Sequence, residues 1–325
     1  MPTFPIRWVV HGKTQDNQGH NYALAMKKNL FRSLPALLKT TFKKLYEHDP
    51  FREGAVIAYS AIFALPGLLV MVITLVGYFF GTETVSGRLH QEIASAMGTS
   101  TADEIQHMIT VALSAKDSIW ATILGITVII IGAIGIFVEL QKTFNIIWEV
   151  KVVPHRSGIW KFIRTRLFSF GLILSIAFLL LISLVISSLL SGLGNWIEKY
   201  WSESFLIILK LLNFVFSLAI ISAVFALMFK FLPDAKIKWS SVWFGAIVTS
   251  LLFILGKTAL GLYFGKANPG SGYGAAGSIV LILIWTSYSS IIVFFGAEFT
   301  KVYSDEYYGE IAPTENAVRQ PGRVK

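Results

Sequence analysis

The basic residues of this chain are distributed unevenly around six long apolar segments, and this distribution constrains the fold more than any other feature. The segments are approximately 53–81, 120–148, 164–194, 205–232, 240–265 and 274–302. Nine Lys and Arg residues precede the first segment, five lie in 149–166, three in 230–239 and four in 301–325. The alternate connections, 82–119, 195–204 and 265–273, hold only two, one and one. Because basic residues beside membrane-spanning helices are retained in the cytoplasm, the pattern predicts a six-helix transmembrane bundle with both termini inside.

Composition agrees with an all-α, polytopic integral membrane protein. The chain is 54% hydrophobic and only 14% charged, and each segment reaches the roughly 20 residues that cross about 30 Å of hydrocarbon. The net charge of +9 lies beside the spans. We therefore expect anionic lipid headgroups at the cytoplasmic face as its partners, and no nucleic acid. The absence of cysteine excludes disulfides and thiolate metal sites.

The pattern predicts one transmembrane domain, 30–303, between a disordered cytoplasmic tail, 1–29, and a short cytoplasmic tail, 304–325. Pro313 and Pro321 favour disorder in the second tail as well. Leucines at helical spacing with lysines opposite predict a basic amphipathic helix over 33–48, lying in the inner membrane interface.

The first outer connection is the only long one, and it predicts a short amphipathic helical hairpin over 83–117. Val85, Leu89, Ile93 and Met97 repeat every four residues, and a second periodic run follows Gly98. We expect two short helices to form a cap on the outer face. Two roles remain open for this cap, covering an outward-facing cavity or packing on the helix ends.

Ionisable residues within a span cost about 2.5–3.5 kcal/mol at the helix centre, so each one requires an explanation. Glu139 and Glu298 lie toward the cytoplasmic ends of the second and sixth segments, where we expect water to reach them, and Lys301 is a local partner for Glu298. Lys257 is the deepest cation, and Asn145 adds a polar group near Glu139. These four candidates, Glu139, Asn145, Lys257 and Glu298, are either transport-path residues or clamps between helices.

Two further patterns predict how the helices bend and pack. Pro66 and Gly67 interrupt the first segment, and a proline there frees a backbone carbonyl and makes a candidate hinge. Small residues at the start of the sixth segment, among them Gly274, Gly277 and Ser278, predict close helix packing.

Catalytic patterns are missing from the sequence. The six histidines are dispersed without H-x-H or H-E-x-x-H spacing, and there is no P-loop, dinucleotide glycine pattern or G-x-S-x-G elbow. We therefore expect no enzyme activity, no cofactor and no metal site.

Four motifs resemble the YihY/BrkB family of bacterial inner-membrane proteins over roughly residues 30–305. They are G-A-V-I-A-Y-S-A-I-F-A-L-P-G from Gly54, F-N-I-I-W-E-V at the end of the second segment, F-L-P-D at 231–234, and the run from Tyr273 to Thr300 that ends G-A-E-F-T. The last is the most specific. Matching signature positions are Tyr59, Pro66, Asn145, Trp148, Pro233, Gly274, Gly277, Gly296 and Glu298.

The resemblance implies a six-helix membrane protein. Family members are associated in some pathogens with serum resistance and are considered transporters of small solutes or lipid-linked material. Some have been labelled ribonuclease BN, although the metal-binding motif of that nuclease is missing here. The leading hypothesis is a transporter or exporter of a small polar or amphiphilic solute that is not driven by ATP. A structural protein of envelope homeostasis is the alternative, and a membrane-bound ribonuclease comes last. The solute and the oligomeric state are not predicted.

Overall fold

The computed structural model describes residues 33–114, 135–153, 203–267, 269–315 and 317–320, and these are mostly helical. The helices are α1 (33–47), α2 (Pro50–Phe80), α3 (Thr82–Met97), α4 (Thr99–Ser114), α5 (135–147), α6 (Glu203–Phe231), α7 (Trp239–Ala267) and α8 (Gly277–Tyr308). Four short strands are β1 (Val150–Val152), β2 (Ala235–Lys236), β3 (Ala312–Pro313) and β4 (Ala317–Arg319), and a 3₁₀ turn, Ser271–Ala276, precedes α8.

Three of the described helices are long and apolar enough to cross a membrane. They are Leu211–Phe231 within α6, and the whole of α7 and α8. A mostly helical membrane protein is therefore confirmed. The first apolar segment forms the single 31-residue helix α2. Of the second segment only 135–148 is described, the third, 164–194, lies outside the described residues, and so does the predicted tail 1–29. The count of six spans accordingly stays a prediction.

Helix α8 is the centre of the described bundle, since it packs against both α2 and α7, and α7 packs in turn against α6. The α7–α8 contact is reciprocal. A Cβ atom on Gly245 of α7 would lie 1.8 Å from the Thr300 hydroxyl of α8, and a Cβ on Gly296 of α8 would lie 1.8 Å from the Thr249 hydroxyl of α7. Each threonine hydroxyl donates to the carbonyl of the glycine one turn earlier on its own helix, at 2.7 Å. Two G-x-x-x-T sequences therefore bring antiparallel helices together without unsatisfied hydroxyls.

Residues 304–315 and 317–320 include regular structure, which corrects the predicted disorder for this part of the C-terminal segment. Helix α8 continues to Tyr308, and strands β3 and β4 follow it. β4 pairs antiparallel with β1, aligning Val152 with Ala317, and β3 pairs antiparallel with β2, aligning Ala235 with Pro313. The reason is backbone pairing with the two connections that follow α5 and α6, which composition alone does not reveal.

Among the described residues, α1 and the pair α3–α4 lie at opposite ends of the bundle. One end of the bundle is formed by the first turns of α2 and α7 and the last turns of α5, α6 and α8. We call it the charged end. α1 lies at this end and buries Leu37, Thr41 and Leu45. The ring of Phe42 contacts that of Phe295 on α8 in a tilted arrangement, with centroids 4.9 Å apart. α3 and α4 pack on each other, α3 also contacts α7, and together they cover what we call the helical-pair end.

Candidate functional site

A fully buried carboxylate lies at the charged end. Glu298 on α8 has no exposed surface, and its Oε2 lies 3.2 Å from Nδ1 of His48, whose side chain is 20% exposed. His48 occupies the turn between α1 and α2, where Asp49 adopts a left-handed conformation with φ of 50°. The other carboxylate oxygen of Glu298, Oε1, is buried without a hydrogen-bond partner among the described residues. Glu298 is therefore not reached by water, contrary to the sequence-based expectation, because α1 and the turn after it cover it.

Lys301 does not pair with Glu298, although the two residues are three positions apart. Its Nζ lies 2.8 Å from Glu149, just after α5, and 3.6 Å from Asp305 on its own helix, and its side chain is only 5% exposed. Glu149 has a φ of 53°, and its backbone carbonyl accepts a hydrogen bond from Gln320. The C-terminal segment and α8 are thus both bound to Glu149, the first through its backbone carbonyl and the second through its carboxylate.

The electrostatics of Glu149 follow from this position. Burial raises the pKa of its carboxyl, but the hydrogen bond and charge of Lys301, together with the charges of Lys44 and Arg319, outweigh burial and hold that pKa below its usual value. Arg319 also forms a close ion pair with Glu310, which lowers the pKa of the Glu310 carboxyl. Both carboxylates therefore stay charged at neutral pH.

Asn145 joins two of the motifs found in the sequence. Its Nδ2 donates to Oδ2 of Asp234 at 2.9 Å, and its Oδ1 accepts from the Asp234 backbone N–H at 2.8 Å. Gln141 donates to the same Oδ2 at 3.2 Å. The end of α5 is therefore clamped to the F-L-P-D turn after α6, which explains why both motifs carry polar residues beside apolar helices.

Glu139 is not brought together with Glu298. It accepts a hydrogen bond from Lys142 on its own helix at 2.7 Å, and its side chain is 26% exposed. One turn on, Thr143 contacts Glu53 of α2 at 3.1 Å. The polar inner part of α5 is thus divided into separate contacts with α2 and with the turn after α6.

Lys257 lies toward the opposite end and is less deeply buried than the sequence suggests. Its Nζ lies 3.0 Å from Oε2 of Glu92 on α3, and its side chain is 35% exposed. The carboxylate that this cation needs is supplied by the helical pair α3–α4. A partner 165 residues away in sequence could not be identified from the pattern.

The predicted hinge residues lie within a continuous helix, and the predicted packing residues lie at the start of α8. Helix α2 continues through Pro66 and Gly67 without a break. Gly274 lies in the 3₁₀ turn before α8, and Gly277 approaches Gly270, whose carbonyl oxygen would lie 2.5 Å from a Cβ there. The Ser278 hydroxyl is buried with no partner among the described residues.

An open pocket of about 430 Å³ lies at the helical-pair end. Its floor is apolar and its rim polar, with Ser86 and Gln106 hydrogen-bonded to each other at 2.8 Å and His90 paired with Asp103 at 2.7 Å. The lining residues are Ile73, Thr82, Glu83, Ser86, Gly87, His90, Gln106 and Ile109. In the described part of the chain, no group of three His, Cys, Asp or Glu residues is placed to hold a metal ion.

Sequence reasoning missed three residues of the charged end, His48, Glu149 and Asp234. Asp234 and Glu149 belong to the motifs F-L-P-D and F-N-I-I-W-E-V, so a carboxylate that closes an apolar motif was the available signal. For His48 the only signal in the sequence was its position directly before Asp49-Pro50, where the chain is predicted to enter the membrane.

Comparison with known proteins agrees with these features. A family model described as virulence factor BrkB matches residues 41–321. A UPF0761 membrane protein of Saccharophagus degradans is 25% identical over 82% of this chain and 59% of its own length, and one of Pseudoalteromonas atlantica is 24% identical over 83% and 88%. The ribonuclease-like protein YfkH of Bacillus subtilis is 23% identical over 81% and 93%.

The chain spans less than two thirds of the Saccharophagus degradans relative but most of the other two. No solved structure matches. The matched region begins in α1 and extends through the strands of the charged end, so it includes His48, Asn145, Asp234 and Glu298. The chain belongs to the virulence factor BrkB family of membrane proteins.

Proposed function

We propose that this protein is an inner-membrane transporter or exporter of a small polar or amphiphilic solute, without ATP as its energy source. Six transmembrane helices with cytoplasmic termini place the charged end at the cytoplasmic face and α3–α4 as a cap outside. The exposed Lys39 and Lys43 of α1 then face anionic lipid headgroups.

The observation that supports transport is the buried pair of Glu298 and His48. An ionisable group inside a membrane bundle is costly, and a purely structural ion pair is often replaceable by apolar packing. Glu298 also keeps one oxygen without a partner among the described residues, which a structural clamp would be expected to satisfy. Such a group is suited to exchange a partner during a conformational change.

Transport is tested with purified full-length protein in liposomes, by measuring uptake and efflux of a panel of polar and amphiphilic solutes. We expect at least one solute to move, and Glu298→Gln to reduce its rate at least tenfold while leaving a folded protein. A matched control is Glu306→Gln, an exposed carboxylate two turns farther along α8. Movement of no solute by the folded wild type would contradict the proposal.

The second candidate function is a structural role in the envelope, favoured by the clamp between Asn145 and Asp234 and by the strand pairs of the charged end. In that case Glu298→Gln would lower the amount of folded protein and have no separate effect on flux.

Topology is tested with alkaline phosphatase fused after Lys325, which should be inactive if the C terminus is cytoplasmic.

We propose no nuclease activity for this chain. His48 lies at the charged end, whereas His90 and His107 lie on α3 and α4, so these imidazoles are too far apart for two ions separated by about 4 Å. Purified protein should not cleave tRNA precursors with Mg²⁺, Mn²⁺, Co²⁺ or Zn²⁺. Cleavage that disappears in His48→Gln would contradict this.

A further inference from the structure

We propose that Glu298 and His48 form a proton-binding site that couples solute movement to the proton gradient. The inference rests on the proposed transport function and adds the identity of the coupled ion. Three features carry it: complete burial of the carboxylate, a histidine ring 3.2 Å away, and a second carboxylate oxygen with no partner among the described residues.

Burial decides which ligand fits. Because Glu298 has no exposed surface, a hydrated metal ion or an organic cation would need α1 and α8 to separate before it could bind. A proton needs only an acceptor oxygen and a carrier that reaches water. His48 is that carrier, since its side chain is 20% exposed and one ring nitrogen faces Glu298. Histidine is also the side chain that exchanges protons most readily near neutral pH.

The charged groups around Glu298 and His48 form their ion pairs with other residues. On α8, Lys301 is engaged by Glu149 and Asp305, and Lys44 on α1 contributes its charge to those same two carboxylates. At the start of α2, Arg52 pairs with Asp49 and Glu53. The remaining charged groups on these elements are the exposed Lys39, Lys43 and Glu47 of α1, the exposed Glu306 of α8, and Glu139 and Lys142 of α5. Glu139 and Lys142 pair with each other. Lys301 still lies near enough to Glu298 for the two charges to attract.

The loading step conserves protons and charge. A proton from water on the proposed cytoplasmic side binds Nε2 of His48, the Nδ1–H bond breaks, and an Oε2–H bond forms on Glu298. The carboxylate becomes a neutral carboxyl group, and the imidazole remains neutral with its proton on Nε2. Loss of the carboxylate charge removes the attraction to Lys301 and weakens the contact that holds the α1–α2 turn on α8, which links proton binding to helix movement.

Infrared difference spectroscopy of the purified full-length protein between alkaline and acidic pH tests the site directly. We expect the carbonyl band of a protonated carboxyl group to appear on acidification, to be lost in Glu298→Gln and to persist in Glu306→Gln. In His48→Gln the frequency of the band should change, because the ring nitrogen 3.2 Å from the Glu298 carboxyl is lost. A band that persists in Glu298→Gln, or a band frequency that His48→Gln leaves unchanged, would overturn the inference. If Glu298→Gln does not fold, the band frequency in His48→Gln decides alone.

A flux measurement separates this inference from the proposed function. Liposomes loaded with a pH-sensitive dye report proton entry while a transported solute moves. Solute flux that is indifferent to the pH gradient would overturn coupling and leave transport intact. An intact spectroscopic signal in a protein that moves no solute would support the proton site and contradict transport.

Discussion

The two ends of the bundle are built differently. At the charged end, hydrogen bonds and ion pairs join residues far apart in sequence: His48 with Glu298 across 250 positions, and Glu149 with Lys301 across 152. At the helical-pair end, the Ser86–Gln106 contact spans only 20 positions. The exception is the pair of Lys257 and Glu92, which is largely open to its surroundings.

The glycines that differ are those between long helices and one on the helical pair. Gly245 and Gly296, near the charged end, are in contact with side chains of the facing helix, whereas Gly87 on α3 has nothing within 4 Å of its Cβ position. The close approach of Gly277 to Gly270 is made within the connection that leads into α8. Lys301 is 5% exposed and Lys257 35%. Polar contacts between several segments therefore hold the charged end together. At the helical-pair end, a buried apolar cluster joins α3 and α4 to α2, α7 and α8, and the ion pair of Lys257 and Glu92 is exposed.

The largest expected effect is on the close contact of α7 and α8. Gly245→Val should destabilise the protein by about 3 kcal/mol, because its Cβ would overlap the Thr300 hydroxyl and approach backbone. The matched control is Gly87→Ala, in open space within a helix, which should be neutral or stabilise by about 0.5 kcal/mol. Thermal unfolding in detergent, followed by tryptophan fluorescence, measures both. Equal effects at the two glycines would contradict the contrast in packing.

The next largest effect is expected for Lys301→Gln, which should lower the free energy of unfolding by about 2 kcal/mol. The substitution removes a charged hydrogen bond from a buried position and leaves Glu149 with Arg319 alone, whose guanidinium is 4.0 Å away. Proteolysis after residue 309 should accelerate in the variant, because Glu149 holds the C-terminal segment through Gln320. An unchanged proteolysis rate and an unchanged melting temperature would show that Lys301 does not stabilise the charged end.

Asn145→Ala is expected to cost about 1–2 kcal/mol, since it leaves the Asp234 backbone N–H without its partner and the carboxylate with Gln141 alone. The comparison variant, Gln106→Ala, removes an equivalent contact from the rim of the pocket, where water replaces the lost group, and should cost less than about 0.5 kcal/mol. Similar melting temperatures for the two variants would show that the ends do not differ in polar clamping.

Helices and charged candidates could be predicted from the sequence, and their partners could not. Apolar length sets where α2, α6, α7 and α8 form. The cost of placing a charge within an apolar segment singles out Glu298 from the sequence alone. The partner His48 comes from the turn between two other helices, and no local pattern records a contact across the bundle. For Lys301 the nearest carboxylate in sequence gave the wrong partner, because Glu298 faces α1.

The C-terminal strands show a second limit. Pro313, Pro321 and scattered charges at 309–325 favour disorder when composition is considered alone. Backbone hydrogen bonds with β1 and β2, and the bond from Thr314 to the Asp234 carbonyl, order this segment regardless of its side chains. The close contact at Gly245 and Gly296 could not be predicted from the sequence either. A glycine four positions before a threonine indicates helix packing only when the facing helix is known.

The smallest expected effect is at the pair of Lys257 and Glu92, where exposure decides the outcome. The Lys257 Nζ and the Glu92 carboxylate are 3.0 Å apart, but the side chains are 35% and 69% exposed, so Lys257→Gln should change stability by less than about 0.5 kcal/mol. A double-mutant cycle with Glu92→Gln isolates the pair, and Lys301→Gln in the same detergent provides the buried reference. A coupling energy above about 1 kcal/mol would mean that charge, in addition to the buried apolar cluster, holds α3 on α7. The two ends would then not differ in their use of charged pairs, and the contrast between them would apply to the glycine contacts alone.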